Sequence, residues 1–243
     1  MIRKFSILIF IICFYTSIPM NAVAQKLVNE ASVNYNIKIV NNQTKETQTA
    51  TYEVIVKGTL SKSILKSKLG IETNIFDSKY LFLFPILTLK LGIETNIFDS
   101  KLGTGVILKE YSSQKLMIPI NKENWENQNS LFHHLKFTTV ADEKVIKGYN
   151  CKKATASLKG SSNLTVFFTE DIQLANDDYN MSLQSIKGLP VQLNYSDGNF
   201  TYEYLLNAVN IDDVTNSAFD IPKSGFRILS YDKAVLLNKG EKK

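Results

Sequence analysis

Apolar and polar residues alternate with a period of two through much of this chain. The first alternating run has apolar residues at Val33, Tyr35, Ile37 and Ile39, and the second has them at Tyr52, Val54 and Val56. A polar segment, residues 41–45, separates the two runs. Because successive side chains of a strand point to opposite faces, this pattern predicts an antiparallel hairpin with one apolar and one solvated face.

The same alternation recurs farther along the chain. It predicts strands at residues 106–108, 114–120, 149–158, 164–168, 189–195 and 200–208. The last two strands flank Asp197-Gly198, a dipeptide typical of two-residue hairpin turns. Near Lys152-Lys153 the apolar phase slips by one residue, which predicts a β-bulge and leaves the facing of Cys151 open.

Helical patterns are short in this sequence. Residues 122–127 predict a helical turn that packs the only tryptophan, Trp125, beneath it, and residues 228–237 predict at most one edge strand. We therefore predict a mainly β fold: a single curved antiparallel sheet, or half-barrel, with one or two short helices. The predicted domain spans residues 25–238 and is followed by a basic tail, residues 239–243.

One segment of the chain is duplicated. Residues 68–79 recur without change as residues 90–101, at an offset of 22. Two copies are too few for a solenoid, so the repeat indicates a recent duplication, inserted as residues 79–100. Excision of this insert would join Ser78 to Lys101 in a continuous strand–turn–strand pattern. Because the offset is even, the insert leaves the faces of the following strands unchanged.

Inside the insert, residues 80–89 form an intensely apolar run. Ten residues are too few to cross a membrane as a helix, and Pro85 interrupts the run as a central strand. Three interpretations stay open: an extra hairpin in the sheet, a projecting loop that contacts lipid or a partner, or a poorly folded insertion. An exposed run of this kind would promote aggregation.

The N-terminus has the pattern of a secretory signal peptide, residues 1–24. Arg3 and Lys4 precede a short apolar run, and Ala-Val-Ala at residues 22–24 predicts cleavage between Ala24 and Gln25. We therefore expect an exported protein, periplasmic or associated with the cell surface, without a transmembrane anchor after cleavage. Cys13 follows two isoleucines in the apolar run, so we expect it to be removed with the signal rather than acylated.

The charge pattern argues against a nucleic-acid partner. The full chain has 28 basic and 23 acidic residues, and the two signs are interspersed. Nucleic-acid binding surfaces usually show a clustered basic stripe with stacking aromatic residues, and the sequence has neither.

The sequence offers little material for catalysis or for a metal centre. It has no Gly-x-Ser-x-Gly motif, and Gly103-Thr104-Gly105 lacks the remainder of a phosphate loop. His133 and His134 are adjacent, so from a strand they would point to opposite faces. Cys151, the one cysteine expected after signal cleavage, is predicted to be a small buried residue. We expect no catalytic residue, metal site or cofactor, and therefore no enzyme.

Two carboxylate pairs are candidates for an acid–base couple. Asp177-Asp178 and Asp212-Asp213 lie in polar connecting segments, which favours solvated turns. A hydrolase whose site only the fold would reveal is the weakest alternative.

Several short motifs carry a family resemblance. They are Ile-Lys-Gly-Tyr-Asn-Cys-Lys-Lys-Ala at residues 146–154, Phe-Phe-Thr-Glu-Asp-Ile at 167–172, Lys-Gly-Leu-Pro-Val at 187–191 and Phe-Asp-Ile-Pro at 219–222. With these motifs the chain resembles an uncharacterised family of secreted bacterial proteins, often lipoproteins, that is related to the GLPGLI family of Gram-negative bacteria. The resemblance covers residues 33–230, interrupted by residues 79–100.

The resemblance implies a fold similar to that of the Lol-type periplasmic lipoprotein carriers, in which an unclosed barrel can hold an acyl chain on its concave face. This chain departs from the family in two respects. It lacks the acylated cysteine common among these lipoproteins, and its duplicated insert has no counterpart there. The family supplies no catalytic residue.

Two hypotheses for function follow. The first is a non-enzymatic periplasmic binding module for a hydrophobic ligand or a lipidated partner. Its candidate concave-face aromatics are Tyr35, Tyr52, Tyr195, Phe200, Tyr202 and Tyr204. These side chains could instead simply fill the half-barrel. The second is a cell-envelope structural or interaction protein that uses the sheet edge or residues 80–89. A sealed concavity would favour the second hypothesis and an open apolar cavity the first.

Overall fold

The computed structural model describes residues 26–67, 92–111, 114–129, 135–157, 163–176, 183, 185–196 and 198–240. The predicted signal peptide with Ala24 and Gln25, the apolar run 80–89, His133, His134 and Asp177-Asp178 lie outside these ranges.

Strands dominate the described residues. They are β1 Lys26–Val28, β2 Glu30–Asn41, β3 Thr47–Lys57, β4 Leu60–Ser67, β5 Gly92–Asp99, β6 Thr104–Tyr111, β7 Gln114–Asn121, β8 Thr138–Ile146, β9 Tyr149–Ser157, β10 Asn163–Thr169, β11 Ile172–Leu174, β12 Leu189–Ser196, β13 Phe200–Asn210 and β14 Arg227–Ile228. The helices are α1 Lys122–Asn129, α2 Tyr231–Gly240 and a 3-10 turn, Asn216–Phe219.

Twelve of the described strands form one sheet in the order β14-β7-β6-β5-β4-β3-β2-β13-β12-β10-β9-β8. All of its pairings are antiparallel except β14 with β7, and β1 and β11 form a separate parallel pair. The sheet order has two different ends, β14 and β8, so the sheet is open. The prediction of a mainly β fold with a large antiparallel sheet and short helices is confirmed, with these two parallel pairs as additions.

The central hairpins have the predicted registers. Tyr35 lies opposite Tyr52 in the β2–β3 hairpin, and Leu193 lies opposite Tyr204 in the β12–β13 hairpin. The turn between β12 and β13 contains Gly198 with φ +94°, a conformation that favours glycine. The alternation therefore identified both the strands and the side chains that share a face.

The irregularity expected at Lys152-Lys153 is present, but the extra residues belong to the neighbouring strand. Val140 pairs with Lys153 while Glu143 pairs with Lys152, so the bulge lies on β8. Cys151 and Ala154 are both buried although they are an odd number of residues apart. Cys151 therefore faces the core.

Apolar side chains cover both faces of one half of the sheet. We call the face that carries Tyr35, Tyr52 and Tyr204 the inner face. The largest apolar cluster lies there, on strands β2–β4 and β9–β13. On β5–β7 the inner face is covered by α1 and α2, whereas the opposite face is covered by the segment that contains Phe219.

Trp125 belongs to α1, and its side chain lies between this helix and the sheet, as predicted. Its ring stacks on Phe98 of β5 with centroids 4.7 Å apart and an interplanar angle of 12°. The helix begins after Asn121, whose carboxamide oxygen accepts a hydrogen bond from the amide of Asn124 at 2.8 Å. This side-chain cap fixes where the chain leaves β7 and turns Trp125 onto the sheet.

The prediction of at most one edge strand in residues 228–237 missed the helix that most of these residues form. Only Arg227–Ile228 pairs with β7, and Tyr231–Gly240 forms helix α2. Tyr231 and Ala234 pack against the apolar cluster beneath Trp125, a spacing of three that fits a helix and not a strand. The contiguous apolar residues that follow Ala234 hid this period in the sequence.

The second copy of the duplicated segment lies inside the sheet. Its residues Gly92–Asp99 form β5, which pairs with β4 on one side and β6 on the other. This part of the insert is therefore integral to the fold. The register places Ser67 opposite Gly92 and Leu60 opposite Asp99.

Replacement of Trp125 by alanine should destabilise the β5–β7 half of the sheet. The loss of the stack on Phe98 and the resulting cavity should lower the free energy of unfolding by about 3 to 5 kcal/mol. Urea unfolding followed by circular dichroism measures this change, and Trp125→Phe, which keeps a ring there, should cost clearly less. Equal costs for the two variants would contradict the stacking role.

Candidate functional site

All six aromatic residues proposed for the concave face lie together on the inner face. Tyr35 belongs to β2, Tyr52 to β3, Tyr195 to β12, and Phe200, Tyr202 and Tyr204 to β13. Each belongs to the largest apolar cluster, and none is more than 6% exposed. The side chains therefore fill this part of the inner face.

The rings pack in ordered pairs. Tyr195 and Tyr202 are direct cross-strand partners and stack at 4.6 Å with an interplanar angle of 10°. Tyr35 and Tyr52, also direct partners, lie 6.3 Å apart and tilted by 30°. Pairs of this geometry stabilise an antiparallel sheet beyond the area they bury.

Burial governs the chemistry of the tyrosine hydroxyls. Tyr35 Oη donates to the backbone oxygen of Pro190 at 3.0 Å. Burial raises the pKa of Tyr52 to about 12, although a hydrogen bond with Ser63 opposes the shift and the charge of Glu94 adds to it. Burial also raises the pKa of Tyr204 well above its ordinary value, against a hydrogen bond with Tyr195. These phenols stay neutral at physiological pH and cannot serve there as bases.

A polar strip adjoins the aromatic residues on the inner face, on strands β4–β6. The Lys109 ammonium lies 3.1 Å from the carboxylate of Glu94, and the two side chains are only 15% and 17% exposed. Burial by itself would lower the pKa of Lys109, but the charge of Glu94 and contacts with Glu94 and Tyr111 raise it above its ordinary value. Lys109 is therefore charged at neutral pH.

The strip also contains two buried polar atoms that form no hydrogen bond with the described residues. The Asn96 carboxamide donates to Ser63 Oγ at 3.3 Å. The carboxamide oxygen of Asn96 and the hydroxyl of Ser67 are buried without a hydrogen-bond partner among the described residues. A buried acceptor of this kind can bind water or a donor group of a ligand.

Sequence reasoning missed this strip. Glu94 and Asn96 are in phase with Phe98, but only the pairing of β5 with β6 shows that Lys109 lies directly opposite Glu94. A single sequence does not give that register, because it does not show which residues form the turn between β5 and β6.

Three of the four short motifs, at residues 146–154, 167–172 and 187–191, meet on the adjacent strands β9, β10 and β12 and have structural roles. The Lys152 ammonium lies 2.6 Å from the carboxylate of Glu170. A Cβ at Gly188 would lie 2.2 Å from the backbone oxygen of Thr169, so only glycine fits this approach. Lys147 and Gly148 have φ values of +54° and +85° and form the two-residue turn between β8 and β9.

Cys151 lies within the same group of motifs and is 1% exposed. Burial raises the pKa of its thiol, opposed by a backbone hydrogen bond and reinforced by the charge of Asp171. A buried, protonated thiol is a poor nucleophile. This placement agrees with the prediction of a small buried residue.

No cluster of three or more metal-binding side chains occurs within the described ranges. In that part of the chain, no helix has both the length and the apolar character required to cross a membrane. Asp212-Asp213 lies in the connection after β13, where the amide of Asp212 donates to the side chain of Asn210 at 2.9 Å.

No protein-family model and no curated protein matches this sequence. Solved structures show distant similarity. PNGF-II matches 88% of this chain with 12% identity and a TM-score of 0.45, and this chain spans only 34% of that protein. An uncharacterised conserved protein from Thermus thermophilus matches 81% of this chain and 90% of its own length, with 7% identity and a TM-score of 0.42.

A third similar structure comes from Vibrio parahaemolyticus, and its name provisionally assigns it to outer membrane lipoprotein sorting. It matches 79% of this chain and 89% of its own length, with 8% identity and a TM-score of 0.35. The chain is thus distantly similar in structure to a lipoprotein-sorting domain and to uncharacterised β proteins.

Replacement of Lys109 by methionine should strongly destabilise the protein because it leaves the Glu94 carboxylate largely buried without its partner. We expect a loss of about 3 kcal/mol in the free energy of unfolding, measured by urea denaturation. The matched control is Lys115→Met, which breaks the more exposed pair with Glu110. That change should cost less than about 1 kcal/mol. Equal losses would show that the Glu94–Lys109 pair is not specially buried.

The raised pKa of Tyr52 predicts a loss of stability at alkaline pH. An unfolded tyrosine ionises near pH 10, whereas folded Tyr52 keeps its proton to about pH 12. Its contribution is therefore complete below pH 10 and is lost as the pH rises towards 12. Tyr52→Phe should remove about 2 to 3 kcal/mol of this decline, measured as the free energy of unfolding between pH 9 and 12. Parallel curves for the two proteins would contradict the buried, protonated state of Tyr52.

Proposed function

We propose that this chain is an exported, non-enzymatic protein of the bacterial cell envelope that binds a protein partner. Its motifs further suggest membership of the uncharacterised secreted family related to the GLPGLI family. The observation that carries the proposal is the near-complete burial of the six inner-face aromatics. Because their own rings fill this part of the inner face, contact with a partner is best supported at the periphery of the sheet.

Edge strand β8 offers the most extended exposed backbone of the described sheet. Eight of its nine residues are exposed, and it pairs only with β9 within that sheet. An exposed edge can bind an added strand through main-chain hydrogen bonds, with specificity from alternate side chains. Val140 and Val145 supply exposed apolar contacts there.

Charges and the bulge restrict which strands β8 can accept. Lys153 reaches across to Asp142 at 3.0 Å, and Glu143 and Lys144 follow in sequence. Charged residues and bulges on an edge strand oppose indiscriminate pairing. A partner strand therefore needs complementary charges, which favours a specific protein over aggregation.

A photo-crosslinking amino acid at Val145 tests this proposal in living cells that export the full-length protein. Val145 is 66% exposed on β8, and Leu236, 65% exposed on α2, is the matched control position. We expect one discrete protein adduct from position 145 and none from position 236. Adducts of the same pattern from both positions, or none from either, would overturn the assignment to β8.

The second candidate is a carrier of a hydrophobic ligand or a lipidated partner. It is supported by the similarity of the motifs to families with Lol-type folds and by the polar strip beside the aromatic rings. The unused oxygen atoms of Asn96 and Ser67 could accept hydrogen bonds from a polar head group, while the apolar part of the ligand parts the rings. Binding would then require the aromatic pairs to move.

Native mass spectrometry of protein purified without detergent separates the two candidates. The partner-binding proposal predicts the mass of the unliganded protein, also after incubation with an envelope lipid extract. A stoichiometric adduct that is extracted into organic solvent would contradict that prediction and establish the carrier function instead.

A further inference from the structure

Strand β5 occupies an interior position of the sheet with a defined register on both sides. On the β4 side Gly92 lies opposite Ser67, and on the β6 side it lies opposite Tyr111. The other end of β5, Asp99, pairs with Leu60 and Thr104. The ladders of β4 and β6 thus form a site that holds one eight-residue strand.

The chain contains two copies of the peptide that fits this site. Residues 70–77 have the same sequence as residues 92–99, Gly-Ile-Glu-Thr-Asn-Ile-Phe-Asp. The first copy lies outside the described residues, and its match to the site is a match of sequence. Just two residues, Lys68 and Leu69, separate Gly70 from Ser67. A two-residue hairpin would therefore place Gly70 opposite Ser67, the same register that Gly92 has in this structure.

We infer that the site between β4 and β6 is a strand-binding site that accepts either copy, residues 92–99 or residues 70–77. Exchange of the two copies conserves every strand contact. The contacts of Glu94 with Lys109, Asn96 with Ser63 and Phe98 with Trp125 would be remade by Glu72, Asn74 and Phe76. The even offset keeps the same side chains on the inner face.

Loop entropy does not select between the copies. With the second copy in the site, the connection from β4 to β5 comprises residues 68–91. With the first copy, residues 78–103 would connect β5 to β6. Because the entropic cost of closing a loop grows only with the logarithm of its length, these two connections cost nearly the same.

The turn after β5 favours the second copy. Asp99 Oδ1 accepts hydrogen bonds from the amides of Lys101 and Leu102 at 2.9 and 3.2 Å. Gly103, with φ +65°, donates its amide to the backbone oxygen of Asp99 at 2.8 Å. The residue at the position of Gly103 after the first copy is Leu81, which disfavours a positive φ.

The turn before the first copy disfavours it. Both central residues of a type I′ turn need a positive φ. The chain already has such a turn between β8 and β9, formed by Lys147 and Gly148. The dipeptide Lys68-Leu69 has lysine at the first central position, as that turn does, but has leucine at the second position, where glycine is needed.

Leu69→Gly should therefore shift occupancy of the site towards the first copy. Leu91→Gly, the same change beside the second copy, serves as the matched control.

Exchange would relocate the apolar run of residues 80–89. With the second copy in the site, this run belongs to the connection at the Ser67 end of β4, and with the first copy it belongs to the connection at the opposite end of the sheet. Eight strand residues at about 3.3 Å each separate these ends by about 25 Å. The duplication thus gives one sequence two places to present an apolar segment.

A stability cycle tests the inference on the full-length protein. The experiment uses three background chains: the native chain, the Leu69→Gly chain and the Leu91→Gly chain. Each background receives Phe98→Ala, Phe76→Ala or both substitutions, and the urea unfolding midpoints of the resulting proteins are compared. In the Leu69→Gly chain, we expect Phe98→Ala to lower the midpoint by less than half of the shift produced by the double variant. In the Leu91→Gly chain, Phe76→Ala should leave the midpoint unchanged. If Phe98→Ala alone gives the full shift in the Leu69→Gly chain, only the second copy fits the site and the inference fails.

Disulfide trapping gives an independent readout that does not depend on stability. Directly opposite residues of an antiparallel pair lie within disulfide range. With Cys13 and Cys151 replaced by alanine, Ser63→Cys is combined with Asn74→Cys, Asn96→Cys or Ile75→Cys. In the Leu69→Gly chain we expect crosslinks to positions 74 and 96 but not to position 75, which would face the other side of the sheet. A crosslink to position 96 alone, or equal crosslinks to positions 74 and 75, would overturn the inference.

Discussion

The structure depends on the register of one continuous hydrogen-bonded ladder. Three inner-face contacts are a direct consequence of it: the stack of Tyr195 on Tyr202, the pairing of Tyr35 with Tyr52 and the ion pair between Glu94 and Lys109 all join directly opposite residues. Because side chains alternate between faces, a slip of one residue at any strand would turn its apolar set outwards. The register of the strands therefore determines which side chains are buried, and the burial of the apolar side chains in turn stabilises that register.

The inner face combines two chemically different surfaces on the same ladder. On strands β2, β3, β12 and β13 it carries aromatic rings that are almost fully buried. On β4–β6 it carries an ion pair and hydrogen-bonding groups. Burying charges costs free energy unless they are paired, so Lys109 and Glu94 must both be present. The pair fixes β5 to β6 at the point where the apolar cluster gives way to the polar strip.

The sequence allowed most strands to be predicted but not their arrangement. The long strands, such as β2 and β13, have enough alternating residues to show a period of two. Strands β1, β11 and β14 have only two or three residues each, too few to show any period. Helix α2 was missed because its apolar residues are contiguous, and strand order depends on tertiary contacts that a single sequence does not contain.

For the candidate site, the sequence indicated which aromatic residues share a face but not how deeply they are buried or which charges pair beside them. The six aromatic residues lie on one face because they share a strand phase with their apolar neighbours. Their burial could not be predicted, since it depends on what packs over them. The Glu94–Lys109 pair was not predicted either, because it depends on the register of the β5–β6 hairpin.

The duplication shows how a rigid sheet can tolerate a large insertion. An insert of even length that repeats a whole strand restores both the face pattern and the sequence of the interrupted position. The ladder then provides one site and the chain provides two copies of the sequence that fills it, so the cost of the insertion is confined to loop closure and turn geometry. These costs are small beside the packing of Phe98 on Trp125. The insertion thus keeps the β5 sequence in the core and adds a new apolar sequence, residues 80–89, to the chain between β4 and β5. For a protein whose aromatic residues fill part of the inner face, such connections and the sheet edge are the parts in which new binding properties can arise without loss of the fold.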